Sequence, residues 1–357
     1  MKLKTILITL AQVAVLVLLM IKCVVAGDVA VTGSMEHSIT QSNQSLSLKR
    51  SNNNEKIIQF LKIHLSDEGK ELLATRMKEI EDHSEQLALM SNAAFPGKVQ
   101  VAMNNVPVLD QGRHGTCVTF AITAALDATM DKGDYISQLC NLQLGSYLEN
   151  HGYIKASGWD GSLPIWVIHQ IEQYGVISKE KQKTTGCGGL TEYPTDTQYS
   201  PVSFIEPEQY YLMSELVFGK SANWSNIYWR ISSSWTLSEV KAALNSGDRA
   251  VFAVIFPRVD LGVAGAIGKY KRGKDTWVLT SEIKKAVYDA TAAHEMIITG
   301  YDDDALAVDN KGKEHKGLLT LRNSWGSKVG DNGNFYMSYD YFKLLTFDVR
   351  RFSPNAH

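Results

Sequence analysis

Three separated stretches of the 357-residue chain carry side chains that could perform nucleophilic chemistry. In the first, a glycine-containing turn over residues 110–115 leads into an apolar segment with helical periodicity, and Cys117 lies where that segment begins. A cysteine in the first turn of a helix favours the thiolate, because the helix N-terminus carries partial positive charge. A buried core cysteine is the structural alternative, so Cys117 alone does not establish a nucleophile.

The second and third stretches supply a base and a group that could orient it. His294 begins an apolar run that closes in Gly300-Tyr301, and Asn323 closes another strand-like run. A histidine at such a position is more often a core residue than a catalytic one. Together, however, the three residue types can activate a thiol, because the imidazole stabilises the thiolate and an amide can orient the imidazole ring.

These stretches resemble the papain-like cysteine peptidases. The Asn-Ser-Trp-Gly sequence at residues 323–326 matches the motif of that family letter for letter, and His294 with its apolar run matches the family's histidine strand. Gln111 precedes Cys117 by six residues, like the oxyanion glutamine of the family. Residues 158–161, Gly-Trp-Asp-Gly, are a weaker match to the segment that lines the cleft.

The resemblance covers roughly residues 100–345 and implies a role for each matching position. Cys117 would be the nucleophile, His294 the general base and Asn323 the residue that orients it. The side chain of Gln111 and the backbone N–H of Cys117 would form the oxyanion hole, and Trp325 would shield the triad from water. The resemblance also implies an α+β, papain-like two-lobed fold, in which a helical lobe and a β-barrel-like lobe enclose a cleft.

The chain departs from the family beside the nucleophile and in its spacing. His114 and Val118 replace the first cysteine and the aromatic residue of the family's local signature. His294 also follows Cys117 at a longer spacing than the customary ~130–150 residues. We expect the extra residues between Cys117 and His294 to lie within residues 257–292, as an extended loop near the histidine. His114 is an alternative base, although a histidine in the same tight turn would rarely point at the thiol.

The resemblance further implies one disulfide, between Cys140 and Cys187, in the helical lobe. Of the four cysteines, Cys23 would leave with a signal peptide and Cys117 is assigned to catalysis, which leaves this pair in an oxidising compartment. Two separate thiols are the alternative.

Helical patterns precede strand patterns along the chain. Helices are predicted over residues 116–130, 165–174 and 237–245. Strands are predicted over residues 250–256, 296–301, 317–322 and 334–337, separated by turns rich in glycine and aspartate. Helices first and strands later indicate an α+β arrangement rather than alternating β-α-β units.

The first 26 residues predict export. Lys2 and Lys4 precede an apolar run from Ile6 to Ile21, and residues 24–26 offer the small side chains that a signal-peptide cleavage site requires. An uncleaved membrane anchor is the alternative, since the run approaches the lower length limit for a spanning helix. We therefore expect a secreted, periplasmic or lysosome-like location, without stable membrane association once residues 1–26 are removed.

Residues 27–98 are predicted to be a pro-segment that inhibits the catalytic domain, residues 99–357. Residues 27–54 are rich in serine and asparagine and predict a flexible linker. Residues 55–92 carry apolar side chains near helical spacing and predict a helical hairpin. That hairpin is too small to be stable alone, so we expect it to dock on the catalytic domain and block its cleft. A permanent helical subdomain that the fold requires is the alternative.

Composition limits the remaining classes of function. A formal net charge of −2, without long basic runs, provides no electrostatic basis for binding nucleic acid. The sequence contains no phosphate-loop or EF-hand pattern, so we expect no cofactor and no metal. The leading hypothesis is a cysteine endopeptidase made as an exported zymogen, acting on peptides or proteins. An acyltransferase such as a transglutaminase and a catalytically inactive binding protein on the peptidase fold are the alternatives.

Overall fold

A computed structural model of the chain describes residues 27–40, 55–82, 95–259, 264–266 and 275–355. The predicted signal peptide lies outside these ranges, as do residues 41–54 and 83–94 of the predicted pro-segment. Within the described ranges, no helix is long and apolar enough to cross a membrane. Helices and strands are both present, so the α+β prediction is confirmed.

The helices are concentrated between residues 117 and 245. They are α1 (Asp67–Asp82), α2 (Cys117–Met130), α3 (Gln138–Asn150), α4 (Pro164–Tyr174), α5 (Lys179–Thr185), α6 (Pro207–Met213), α7 (Ser233–Asn245), α8 (Ser281–Ala286) and α9 (Tyr339–Leu345), with a 3₁₀ turn at Val287–Asp289. The three predicted helices correspond to α2, α4 and α7. Helix α7 begins earlier than predicted, because the hydroxyl of Ser232 accepts a hydrogen bond from the backbone N–H of Trp235 and caps it there.

The strands predominate after residue 245. They are β1 (Val29–Thr40), β2 (Glu55–Leu65), β3 (Lys98–Gln100), β4 (Ala222–Asn226), β5 (Arg249–Phe256), β6 (Ala264–Ala266), β7 (Thr276–Trp277), β8 (Ala292–Asp309), β9 (Glu314–Arg322), β10 (Asn334–Ser338) and β11 (Thr346–Pro354). The four predicted strands correspond to β5, β8, β9 and β10. The main path of the sheet is β4-β11-β5-β8-β9-β10-β7. Among the described residues this path is open at β4 and β7.

Helix α2 and strand β8 form the centre of the molecule. Helix α2 is buried from Cys117 to Ala128, which is typical of a core helix rather than a surface helix. It packs against β5, β8 and β11 on one side and against α4 on another. Strand β8 pairs with β5 from Ala292 to Ile298 and with β9 from Ile297 to Val308. The first part of β8 is buried on both faces. This packing brings the first residues of α2 and β8 into one region.

The N-terminal segment differs from its prediction. Residues 29–40 form strand β1 rather than a flexible linker, and residues 55–65 form strand β2 rather than a helix. Helix α1 confirms only the second half of the predicted helical hairpin. Over so short a run, the apolar residues of β2 fit both the periodicity of a helix and that of a strand, so tertiary pairing decides which one forms. Strand β2 pairs with β1 along its whole length and with β8 at Leu61 and Lys62. These neighbouring strands supply the hydrogen-bond partners that the backbone of an extended segment requires.

The segment over residues 257–292 is not one extended loop, because its described residues include β6, β7, α8 and the 3₁₀ turn. The disulfide between Cys140 and Cys187 is present, joining the start of α3 to the loop after α5. It lies in a satellite apolar cluster of the helical lobe, together with Leu144 and Tyr210.

Candidate active site

Cys117 is the first residue of α2 and is completely buried. The turn before it is held by a chain of hydroxyl contacts. The hydroxyls of Thr116 and Tyr193 lie 2.9 Å apart, and the Tyr193 hydroxyl donates to the backbone carbonyl of Gln111 at 2.8 Å. These contacts link the start of the helix to Gln111 in the preceding turn. The backbone N–H groups of Val118 and Glu295 both lie against the thiol.

His294 is oriented by Asn323 and covered by Trp325. The imidazole Nε2 lies 2.8 Å from Oδ1 of Asn323, an oxygen that also accepts the backbone N–H of Ser324 at 2.7 Å. Because Oδ1 can only accept, Nε2 carries the proton in this contact. The Trp325 ring stacks on the imidazole at a centroid distance of 4.5 Å and an interplanar angle of 25°. His294 Nδ1 is left without a hydrogen-bond partner among the described residues.

Burial keeps both the Cys117 thiol and the His294 imidazole uncharged in this structure. Desolvation lowers the pKa of His294 to about 4, against the raising effect of the Asn323 hydrogen bond. Desolvation, followed by the nearby Glu295 carboxyl, raises the pKa of the Cys117 thiol well above its ordinary value. At neutral pH the site therefore holds a thiol and a neutral imidazole rather than an ion pair.

The side chain of Gln111 is bound on both ends. Its Oε1 accepts the Ser324 hydroxyl at 2.7 Å, and its Nε2 donates to the His114 carbonyl at 2.9 Å and to the Gln59 carbonyl at 3.4 Å. Sequence reasoning did not identify Ser324 as the partner of Gln111, although Ser324 lies within the Asn-Ser-Trp-Gly motif. The contact couples the position of Gln111 to the strand end that carries Asn323.

Strand β2 covers the imidazole. The Phe60 ring meets the rings of His294 and Trp325 edge-on, at centroid distances of 5.8 Å and 5.3 Å. Leu61 and Lys62 pair with Ala293 and Ala292, the two residues that precede His294. A strand from the N-terminal segment thus extends the sheet directly beside the histidine and excludes water from it.

Strand β1 lies on the opposite wall, over two glycines. A Cβ atom at Gly115 would stand 2.6 Å from Cβ of Ser34, and one at Gly161 would stand 2.8 Å from Cγ1 of Val31. Such distances leave no room for a side chain. The hydroxyl of Ser34 also donates to Asp160 Oδ1 at 3.3 Å. The predicted cleft-lining residues 158–161 therefore contact the N-terminal segment.

Charged contacts hold the N-terminal segment at the rim of the site. Lys56 forms an ion pair with Asp110 and donates to the Trp325 carbonyl at 2.9 Å. Arg113 pairs with Glu36 at 2.9 Å.

A buried arginine helps to attach helix α1 to the rest of the chain. Arg76 donates to the backbone carbonyls of Thr346 at 2.6 Å and Arg230 at 3.0 Å, and to the Tyr228 hydroxyl at 2.9 Å. Its side chain therefore anchors α1 to the C-terminal part of the chain.

His114, the alternative base, is engaged elsewhere. Its Nε2 lies 2.9 Å from the Pro194 carbonyl, and its ring packs edge-on against Trp159 and Tyr193. Burial lowers the pKa of His114, so its ring is neutral at neutral pH. His114 therefore has a packing role in this structure. In the described part of the chain, no group of three or more histidine, cysteine or acidic residues is placed to hold a metal ion.

Comparison with known proteins adds a family match over the C-terminal part of the site. The profile of the Peptidase C1-like family matches residues 278–351, which contain His294, Asn323 and Trp325. No curated protein sequence compared with the chain matches it significantly.

Solved structures of cysteine proteases are also similar to the chain. Xylellain, a cysteine protease from Xylella fastidiosa, is 18% identical over 76% of this chain and 90% of that chain, with a TM-score of 0.45. Digestive procathepsin L 3 of the Tenebrio molitor larval midgut is 16% identical over 80% of this chain and 90% of that chain, with a TM-score of 0.43. Through residues 278–351 the chain matches the Peptidase C1-like family, which confirms its resemblance to the papain-like cysteine peptidases over that segment.

Proposed function

We propose that the chain is a papain-like cysteine endopeptidase, exported as a zymogen, with Cys117, His294 and Asn323 as its catalytic triad. One observation carries the proposal: the hydrogen bond of 2.8 Å between His294 and Asn323 beneath the Trp325 ring. His294 lies on β8, which packs against the helix that begins at Cys117. The bond leaves Nδ1 of His294 as the nitrogen available to a thiol. A binding protein without catalytic activity would not need this fixed tautomer.

The proposed reaction follows from these positions. His294 Nδ1 takes the proton of the Cys117 thiol, and the thiolate attacks the carbonyl carbon of the scissile peptide bond. The oxygen of that carbonyl becomes an oxyanion, which accepts hydrogen bonds from the N–H groups of the Gln111 side chain and the Cys117 backbone. The imidazolium then protonates the leaving amine. Water finally hydrolyses the thioester with His294 as the base, which restores the thiol.

The same geometry supports inhibition by residues 27–98 as a pro-segment. Gln59 occupies a donor of Gln111 that the oxyanion would need, and Phe60 excludes water from His294. In this desolvated site the thiolate and imidazolium cannot form, because neither charge is solvated. Release of the hairpin β1–β2 would free the Gln111 donor and admit water together. The pro-segment would therefore inhibit both by occupying the site and by suppressing the ion pair.

Covalent labelling tests the proposal most directly. A peptide carrying a cysteine-directed epoxide should modify Cys117 in the activated enzyme, and the Cys117→Ala variant should neither be labelled nor hydrolyse peptides. The Cys117→Ser variant is the matched control, because it keeps the size of the side chain but has a weaker nucleophile. Hydrolysis at the wild-type rate by Cys117→Ala would refute the assignment. Adding an amine nucleophile and analysing the products would identify an acyltransferase instead.

A further inference from the structure

Glu295 is a buried acid that the proposed mechanism does not use. It follows His294 on β8 and is completely buried, and both of its carboxyl oxygens lack a hydrogen-bond partner among the described residues. An isolated ionised carboxylate in such a place is strongly disfavoured, so the group holds a proton or is compensated. In the sequence, the signal was one acidic residue inside the apolar run that follows His294.

The charged and titratable groups around Glu295 come from two elements. From α2, the Cys117 thiol lies against the backbone N–H of Glu295. From β11 come Asp348 and Arg350, whose side chains are paired through the Arg350 Nε donating to Asp348 at 2.7 Å. The residue of β5 that lies between Glu295 and Asp348 in the register is Ala253.

These surroundings make the protonation of Glu295 depend on its neighbours. Burial, and then repulsion from Asp348, raise the pKa of Glu295 well above its ordinary value, and Arg350 opposes that rise. A negative Glu295 in turn raises the pKa of the Cys117 thiol. The influences on the pKa of His294 are burial and Asn323, so the charge of Glu295 bears on the thiol rather than on the imidazole.

We propose that Glu295 is a positioning residue that acts through Cys117: once the hairpin β1–β2 is released, the site sustains one negative charge, and Cys117 holds it as the thiolate only while Glu295 keeps its proton. This inference rests on the proposed function. As the pH rises, Glu295 loses its proton to solvent and its carboxylate repels the thiolate, so the nucleophile is weakened. Activity is therefore present below the titration of Glu295 and declines through it. The two groups titrate as a coupled pair.

Two isosteric variants test the proposal with opposite expected signs. In Glu295→Gln the second negative charge cannot form, so the alkaline limb of the kcat/KM profile should move up by about one pH unit or more. In Asp348→Asn the Arg350 charge is released to stabilise ionised Glu295, so the limb should move down. The double variant should behave like Glu295→Gln. Glu314→Gln, at an exposed position of β9, is the control that should move nothing.

Two readouts separate failure of this proposal from failure of the proposed function. Infrared difference spectra of the full chain, wild type against Glu295→Gln, should show the band of one protonated carboxyl at neutral pH. Alkylation of Cys117 by iodoacetamide in the activated enzyme should follow the same shifts as kcat/KM, and it needs no peptidase activity. A uniform loss of rate at all pH values with an unmoved alkaline limb would overturn the proposal. Ionised Glu295 at neutral pH, or a shift in the same direction for both variants, would also overturn it.

Discussion

At the scale of single residues, the site is organised around the Asn-Ser-Trp-Gly motif. Asn323 orients His294, Ser324 holds Gln111 and Trp325 covers the imidazole. Three consecutive residues thus contact both the proposed base and the proposed oxyanion donor. A substitution in this run should change the geometry of the reaction more than the stability of the fold, because each contact is made by a side chain at the end of a strand.

The catalytic assignments predict unequal losses of activity. Cys117→Ala and His294→Ala should each lower kcat/KM by about 10³-fold or more, whereas Asn323→Ala should lower it by about 10–100-fold. The difference arises because orienting a base contributes less than being the nucleophile or the base. Steady-state hydrolysis of a fluorogenic peptide by the activated enzymes measures all three. Equal and small losses for the three variants would contradict the triad.

Ser324→Ala should lower kcat about ten-fold with little change in KM, because a misplaced Gln111 weakens oxyanion binding in the transition state more than substrate binding. The control is Ser327→Ala, three residues further along and exposed. Comparison of the two variants in steady-state kinetics separates the Gln111 contact from a general effect of removing a hydroxyl. A loss expressed only in KM would argue against the proposed role of Gln111.

At the scale of elements, the N-terminal hairpin decides the state of the site. Strand β2 continues the sheet beside β8 and places Phe60 on the His294 ring, while β1 fills the space over Gly115 and Gly161. Strand pairing makes this cover continuous with the core sheet. Opening the site therefore requires the separation of a short strand pairing and the transfer of one aromatic ring to water.

Phe60→Ala should loosen this cover. Removing a fully buried phenylalanine side chain costs about 3–5 kcal/mol, and here the loss falls on the docked state of the hairpin. Epoxide labelling of Cys117 in the unprocessed full chain should become faster. Phe342→Ala is the control. Phe342 in α9 is also fully buried, but its ring packs against Phe252 in β5 rather than against His294. It should lower the melting temperature without speeding the labelling.

The titration of His294 should differ between the docked and released states. With the hairpin docked, burial lowers its pKa to about 4, so the docked state binds fewer protons between pH 4 and the ordinary value of 6.5. Acid therefore weakens docking across this window, because the released state takes up the proton. NMR titration of imidazole nitrogens in the Cys117→Ala full chain, before and after the hairpin is cut away, measures both values. Equal midpoints would show that the hairpin does not desolvate His294.

At the scale of the whole molecule, two parts of the chain enclose the site. The helical part contributes α2, and the sheet contributes β8 and the end of β9. The disulfide Cys140–Cys187 lies in a separate apolar cluster of the helical part. The N-terminal segment contacts both parts. Helix α1 is attached to the C-terminal part through Arg76, and β1 contacts the turn before α2. The enclosure of the site is thus a property of the assembled chain.

Removal of the disulfide should destabilise the helical part more than the site. The bridge closes a loop with a sequence separation of 47, which corresponds to about 3–4 kcal/mol in the chain-entropy description. The double variant Cys140→Ser/Cys187→Ser should show that loss in urea unfolding. The same denaturation of wild-type protein under reducing conditions should reproduce it. Identical unfolding midpoints for wild type and variant would contradict a stabilising bridge.

Local patterns of the sequence determined much of this protein. The apolar periodicity of α2 and β8, the turn before Cys117 and the Asn-Ser-Trp-Gly motif depend on neighbours in the chain. The helix, the strand and the contact between His294 and Asn323 are present in the structure. Elimination among the four cysteines, together with the family resemblance, also indicated the pairing of Cys140 with Cys187. These features are predictable because short-range backbone preferences and side-chain chemistry act on the residues that carry them.

Only the tertiary structure decided the conformation and contacts of the N-terminal segment. Its apolar residues 57–65 fit a helix or a strand, and the choice came from the pairing of β2 with β1 along its whole length and with β8 at Leu61 and Lys62. The protonation states of Cys117, His294 and Glu295 were likewise hidden in the sequence, because they depend on how much water the assembled chain leaves beside each group. Burial and long-range strand pairing join residues far apart in the chain, so no local pattern records them.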